Sequence, residues 1–444
     1  MDTPICKFVH TYCKNNTVRM HMPGHKGCNF LGCEHLDVTE VFGADSLYQA
    51  NGVIARSEQN ASKLFGCNTF YSAEGSSLAI RSMLYLVLLF AKSCGKSPTV
   101  LACRNVHKSF LSGVALLDLD VVWLPHNGAN YLSCNVDANF LDGFLQAMEN
   151  KPTALYVTCP NYLGEMQNVQ KLAHVCHKHG VLLAVDNAHG AYLAFLQNNQ
   201  HPMALGADVC CDSAHKTLPV LTGGAYLHVS HNAPKIFVEQ ARNALSLFGS
   251  TSPSYLILQS LDLANKRLAE GYATELQQFA LQVQQAKSKI CSFGWKVVGE
   301  EQLKITLQTK QSGYTGVEIA NVLRQNNVEC EFCDQDFVVL MLSPQNTVSQ
   351  LQLLVQVLQN IPQKPPICTT PPRFCQPIGK TSIRQAMLGN KVALPTRQCL
   401  GKICADANVG CPPAVPIVMC GEVIDQNAID AMLYYGIDVC QVLA

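Results

Sequence analysis

Three short stretches carry residues that could do chemistry together. EGSS (74–77) joins a strand-like run to an apolar helix-like run. There Gly75 permits a tight turn, and Ser76 and Ser77 offer hydroxyls and backbone N–H groups at a helix N-terminus, which is a ready anion site. The plain alternative is an ordinary serine cap. VDNAH (185–189) ends an apolar strand on Asp186, a carboxylate that needs a cation or several donors if buried. It could equally be a cap or one half of a structural ion pair. DSAHKTLP (212–219) follows another apolar run and sets Lys216 30 residues after Asp186. A lone lysine there is ordinarily a surface group. In a partly dry site with cationic neighbours, its amine loses its proton more easily and becomes a nucleophile.

In this order the three match what pyridoxal phosphate requires. A phosphate goes to the helix N-terminus, a carboxylate keeps the pyridine nitrogen protonated, and a lysine forms the Schiff base.

The elements that must position these residues are legible from hydrophobic runs. NTFYSA (68–73), TVLACR (99–104), DVVWL (120–124), ALYVTCP (154–160), VLLAVD (181–186), ADVCCD (207–212) and GGAYLHV (223–229) are strand-like. Helices are expected over 77–92 and over 168–180, the latter closed by Gly180. Continuous apolar strands alternating with helices predict an α/β fold with a mostly parallel sheet covered on both faces. In such sheets ligands sit beyond the carboxyl ends of the strands, where all three stretches fall.

Beyond residue 255 the pattern changes. A long helical stretch, 256–292, is interrupted at Gly271, and WKVVG, LKITLQT and FVVLMLS alternate with the helix GVEIANVLRQNN. This predicts a smaller α+β domain, then a proline-rich linker (361–377) and a last unit. The division expected is an N-terminal segment 1–35, a large domain 36–260, a connecting helix and small domain 261–365, and a C-terminal domain 366–444. No fixed-period repeat is found.

Composition narrows the class. Of 444 residues, 48% are hydrophobic and 14% charged, with formal net charge +0. Such a chain can bury large cores, and nothing in it calls for nucleic acid as a partner. Its start has no basic region followed by a long apolar stretch, so no export signal is read and a cytoplasmic location is expected. The run 78–91 carries Arg81 and is too short to span a bilayer, so a buried helix and no membrane partner are expected. The 22 cysteines read as free thiols in a reducing compartment. The CxxC at Cys330–Cys333 has no second ligand pair in sequence, and His174, Cys176, His177 and His179 fall at a helix end, so no metal site is expected.

The chain resembles the Orn/Lys/Arg decarboxylase family of fold-type-I pyridoxal-phosphate enzymes. The resemblance rests on HMPGHKG (21–27), DVTEVFGADSL (37–47), RNVHKS (104–109), CPNYLG (159–164), VDNAHGAY (185–192), GADVCCDSAHKTLP (206–219) and STSPSY (250–255), with IRQAM (383–387) and CPPAVPIVMCGE (411–422) resembling the family's C-terminal domain. It implies roles by matching positions. Lys216 is the Schiff-base lysine and Asp186 the partner of the pyridine nitrogen. Ala188 packs under the ring, while His107 stacks on it and relays a proton. Gly75, Ser76, Ser77 and Ser213 bind phosphate, and His189 and His215 complete the cofactor contacts. Thr251 reaches the phosphate of a second subunit, so a homodimer with shared sites is implied.

The implied reaction is decarboxylation of arginine, lysine or ornithine to its amine within polyamine-related metabolism, with Lys216 or His107 returning a proton to Cα. An acidic partner for the substrate's cationic end is sought at Glu40, Asp45 or Glu422, while Arg384 meets a carboxylate or ties the last unit down. The alternatives are an aminotransferase or other chemistry on the same cofactor, and a non-catalytic pyridoxal-phosphate-binding regulator. The chain also departs from the family pattern. Asn187 stands where an acid is common, Glu74-Gly75-Ser76-Ser77 replaces Asn-Gly-Thr-Ser, and Cys411, Ala414 and Cys420 replace Tyr, Gly and Pro. The N-terminal wing domain of longer members is not expected.

Overall fold

The computed structural model describes residues 1–126, 131–406, 410–411 and 415–444; Ala414 lies outside the described residues. The chain divides into two compact units, one made of Met1–Pro98 with Val169–Thr274, the other of Thr99–Asn168 with Glu275–Ala444.

Seven strands occur in the order expected: β1 (Asn68–Ser72), β2 (Thr99–Ala102), β3 (Asp120–Trp123), β4 (Ala154–Thr158), β5 (Leu182–Asp186), β6 (Val209–Asp212) and β7 (Ala225–Val229). In the first unit the order is β1-β7-β6-β5. Here β5 pairs with β6 in parallel, and β7 is antiparallel to both β1 and β6. In the second unit β2 pairs in parallel with both β3 and β4. All residues of β5, β6 and β7 are buried, which explains their unbroken apolar runs.

The sheet is thus mostly parallel, with β7 reversed. The connection from β6 to β7 carries only the one-turn helix Ala214–Thr217, in place of the longer helix that usually carries a parallel crossover over the sheet.

The helix Gly75–Ser93 starts two residues earlier than its apolar run suggests. By length and composition alone it could cross a membrane, yet it is mostly buried and packs on β6, β7 and the helix Lys235–Phe248. A helix apolar on all sides belongs in a core. The helical stretch after residue 255 is broken as expected: Tyr255–Ala269 and Tyr272–Ser292 flank Gly271, which takes φ +86°.

In the second unit a four-stranded sheet holds β8 (Lys296–Val298), β9 (Lys304–Gln308), β10 (Phe332–Cys333) and β11 (Phe337–Met341), with order β10-β11-β9-β8 and every pair antiparallel. Its helices Gly316–Gln325 and Val348–Gln359 both begin in capping boxes, Thr315 with Glu318 and Thr347 with Gln350. Lys391–Pro395 and Val439–Leu443 pair antiparallel. Val418, Ile424, Met432 and Val442 of this C-terminal part share one buried cluster with Phe332, Phe337 and Val339. Arg384 ties it down: its Nη1 donates to the carbonyls of Ala115 (2.8 Å) and Leu116 (3.1 Å), at the end of the helix Lys108–Leu117. Each cysteine whose side chain is described is a free thiol; that of Cys411 lies outside the description.

Candidate active site

The phosphate-type turn forms as its residues dictate. Gly75 opens the helix at φ +71°, a left-handed conformation that only glycine adopts without strain. Its N–H donates to Gly223 O (2.7 Å), and its carbonyl accepts from the Ser72 hydroxyl (2.9 Å). Ser76 is buried one residue further on, and the Ser213 hydroxyl donates to it at 2.8 Å. Two serines 137 residues apart are therefore brought to one point. Ser77 is half-buried beside them in sequence. The Glu74 carboxylate accepts from Ser250 N (2.6 Å), while Thr251 stays exposed.

Asp186 ends β5 and is 2% exposed. One of its oxygens, Oδ1, accepts from Ala188 N (3.2 Å) and from the Cys211 thiol (3.6 Å). Burial, reinforced by the Asp186 charge, pushes the Cys211 thiol well above its ordinary pKa, so it stays protonated and acts as a donor.

Lys216 sits in the one-turn helix beyond β6 and is half-buried. Its Nζ lies 2.8 Å from Nε2 of the buried His189. His215 is held from both ends, with its N and its Nδ1 3.1 and 3.0 Å from Gly224 O.

His107 belongs to the second unit and is described there. It caps the helix Lys108–Leu117, its Nδ1 accepting from Ser109 N (3.2 Å), which leaves the ring proton on Nε2.

The donor set suits a phosphorylated pyridine aldehyde. Hydroxyls and a helix N-terminus suit its dianion, a buried carboxylate its ring nitrogen, and an amine hydrogen-bonded to imidazole its aldehyde carbon.

Two of the acids sought as readers of the substrate are otherwise engaged. The Asp45 carboxylate accepts from five backbone N–H groups, those of Ser46, Asn51, Gly52, Ile54 and Ala55, at 2.7–3.3 Å, and so caps the helix Val53–Phe65. Glu422 takes both arms of the buried Arg104 at 2.7 and 2.8 Å and a third hydrogen bond from Met419 N. Glu40 is exposed. Asp45→Ala is therefore expected to cost about 2 kcal/mol or more of stability in denaturant unfolding, with the KM for the amino acid unmoved. A tenfold rise in KM at unchanged stability would return Asp45 to the substrate.

The functional reading of the sequence missed the group around Asp212. Its signal was present: an aspartate ending an all-apolar strand needs partners as much as Asp186 does.

With fold and site in place, the comparisons define the class. The model of the Orn/Lys/Arg decarboxylase major domain matches residues 3–305. The chain belongs to that family: it is a decarboxylase of basic amino acids, and pyridoxal 5′-phosphate is its expected cofactor. Among its relatives are arginine decarboxylases of Halalkalibacterium halodurans and Bacillus subtilis, each 27% identical over 96% of this chain and 92% of theirs. Among solved structures, a Francisella novicida lysine decarboxylase superposes with TM-score 0.79 at 16% identity, over 100% of this chain and 81% of that one. The fold is that of the fold-type-I pyridoxal-phosphate enzymes.

Proposed function

We propose that the substrate is arginine and that the cofactor is carried on Lys216. Relatives named arginine decarboxylase match this chain almost end to end, whereas a Pseudomonas aeruginosa lysine decarboxylase matches over 51% of it. The observation that carries the site assignment is convergence within one unit: Ser76 meets Ser213, and Lys216, three residues after Ser213, meets His189.

Bound pyridoxal phosphate supplies an electron sink for the pair released as carbon dioxide leaves. The chain's residues do the rest. Ser76, Ser77, Ser213 and the helix N-terminus hold the phosphate. Asp186, whose Oδ1 accepts from Ala188 N and the Cys211 thiol, is the carboxylate that would partner the ring nitrogen. His189 Nε2 lies 2.8 Å from the Lys216 amine, close enough to pass a proton to or from it as that nitrogen attacks and later returns a proton to the substrate carbon. The family resemblance gives His107, whose ring proton is on Nε2, the role of proton relay.

The working form is a homodimer that shares its sites. Met20, Phe30, Leu31 and Phe42 stand 80–104% exposed on the single chain, and a second copy would cover such large apolar side chains. The exposed Thr251 would then reach its partner's phosphate. Sedimentation at micromolar concentration is expected to give twice the mass of the chain; a monomer would remove the shared site. The reducing compartment that its thiols suit is the cytoplasm, and the amine product would feed polyamine-related metabolism.

Incubating the holoenzyme with arginine, lysine and ornithine in turn, and identifying each amine, tests the substrate. Arginine should give its amine and carbon dioxide with the highest kcat/KM. A higher value for lysine or ornithine overturns the choice of arginine, and keto acid in place of carbon dioxide overturns the use proposed for the site.

A further inference from the structure

The Asp212 carboxylate is fully buried and gathers donors from three other chain segments. Its Oδ1 accepts from Asn187 Nδ2 at 2.7 Å, and its Oδ2 from His201 Nε2 at 3.0 Å and His228 Nε2 at 3.1 Å. The Cys210 thiol lies 3.8 Å from Oδ1.

The ring protons can be placed. Met203 N donates to His201 Nδ1, so that nitrogen has no proton and Nε2 carries it. Burial lowers the His228 pKa, so His228 is neutral; its Nε2–H points at Asp212, and Nδ1 accepts from the Thr69 hydroxyl at 2.9 Å. Against the burial that would raise it, the two histidines hold the Asp212 pKa far below the usual carboxylate range.

His201, Cys210 and Asp212 also place donor atoms within 4.8 Å of one another, as a metal site would. An imidazole nitrogen that carries a proton does not ligate, so the tautomer of His201 makes this cluster a hydrogen-bonded hub instead.

The hub's place in the chain gives it a role. Asn187 follows Asp186, and Asp212 precedes Ser213 and the turn that bears Lys216. The side-chain bond between them runs beside a backbone bond from Asn187 N to Cys211 O (3.0 Å), so the ends of β5 and β6 are pinned twice. Asn187 gives Asp212 an uncharged donor. Here an acid would set a second carboxylate against a buried one.

We propose that Asp212 is a positioning residue: its grip on Asn187, His201 and His228 holds the Asp186 turn and the Lys216 turn at the separation the cofactor needs. The proposal rests on the assignment of Lys216 and Asp186 to the cofactor.

Asn187→Asp sets two buried carboxylates face to face, and is expected to weaken binding of pyridoxal phosphate to the apoprotein by about 10- to 100-fold. Asp212→Asn keeps the acceptor for the histidines, and Asn187 can turn its amide to match, so its effect should stay below about threefold. In Asn187→Asp/Asp212→Asn the donor and acceptor are exchanged, and affinity should return to within about threefold of the Asp212→Asn value. Cofactor affinity is read by fluorescence quenching of apoprotein, with circular dichroism confirming that every variant is folded. Wild-type affinity in Asn187→Asp, or a loss that Asp212→Asn does not rescue, overturns the proposal. If Asn187→Asp fails to fold, restored folding but not restored affinity in the double variant also overturns it, since the pair would then serve stability alone. Lys216→Ala is measured alongside. If it still takes up cofactor covalently, the assignment of Lys216 has failed; if it does not while the exchange shows no coupling, only the role of Asp212 has.

Discussion

Lys216→Ala should yield a folded protein that no longer holds pyridoxal phosphate covalently and whose turnover is lower by on the order of 10⁴-fold or more. Lys216 is half-buried and its Nζ meets His189, so the deletion removes that hydrogen bond from the edge of the core. The stability cost should be about 1 kcal/mol. The loss of activity comes from elsewhere, because no other amine is placed to take over in that short turn between β6 and β7. Borohydride reduction followed by peptide mass should find the cofactor on Lys216 in the wild type and on no peptide in the variant. Turnover at wild-type rate in the variant would sink the mechanism.

The second large effect is expected far from that lysine in sequence. Arg104 and Glu422 form a two-armed ion pair with side chains 0% and 6% exposed, and Arg104 lies over Phe374 at 5.2 Å and Trp123 at 5.9 Å. Glu422→Ala leaves a guanidinium buried with nothing to answer it, and should cost about 3–5 kcal/mol in denaturant unfolding. Replacing both residues together, as Arg104→Met with Glu422→Leu, should recover most of that loss, since an apolar pair of similar volume has no charge to desolvate. The test separates two uses of the same carboxylate. A stability loss below about 1 kcal/mol, combined with a raised KM for the basic amino acid, would mean that Glu422 reads the substrate and that its pairing with Arg104 is incidental.

The two acids show where reading from sequence stops. Asp45 and Glu422 lie in stretches that resemble the family, and each looked available for a cationic substrate. Asp45 is taken by a helix N-terminus within ten residues, a local arrangement that a sequence can suggest. Glu422 is taken by an arginine 318 residues away, a partner that no local pattern reveals. The direction of β7 was hidden for a similar reason. Its run of apolar residues says that it is buried, and burial is the same for a parallel and an antiparallel central strand. The pairing of β7 with β1 and β6 decided it, across a link that carries no more than one helical turn.

By itself the sequence determined the order of the seven strands β1–β7, the placing of Gly75, Asp186 and Lys216 at or beyond strand ends, and the family. These follow from short-range causes: unbroken apolar runs, a glycine where φ must be positive, and motifs read in order. Only the tertiary structure decided which polar groups answer which. It put Ser213 on Ser76 and His189 on Lys216, closed Asp45 and Glu422 to other uses, and surrounded Asp212 with Asn187, His201 and His228. A buried polar group must find a partner wherever the fold presents one, and that is settled by packing over distances along the chain that no local pattern spans.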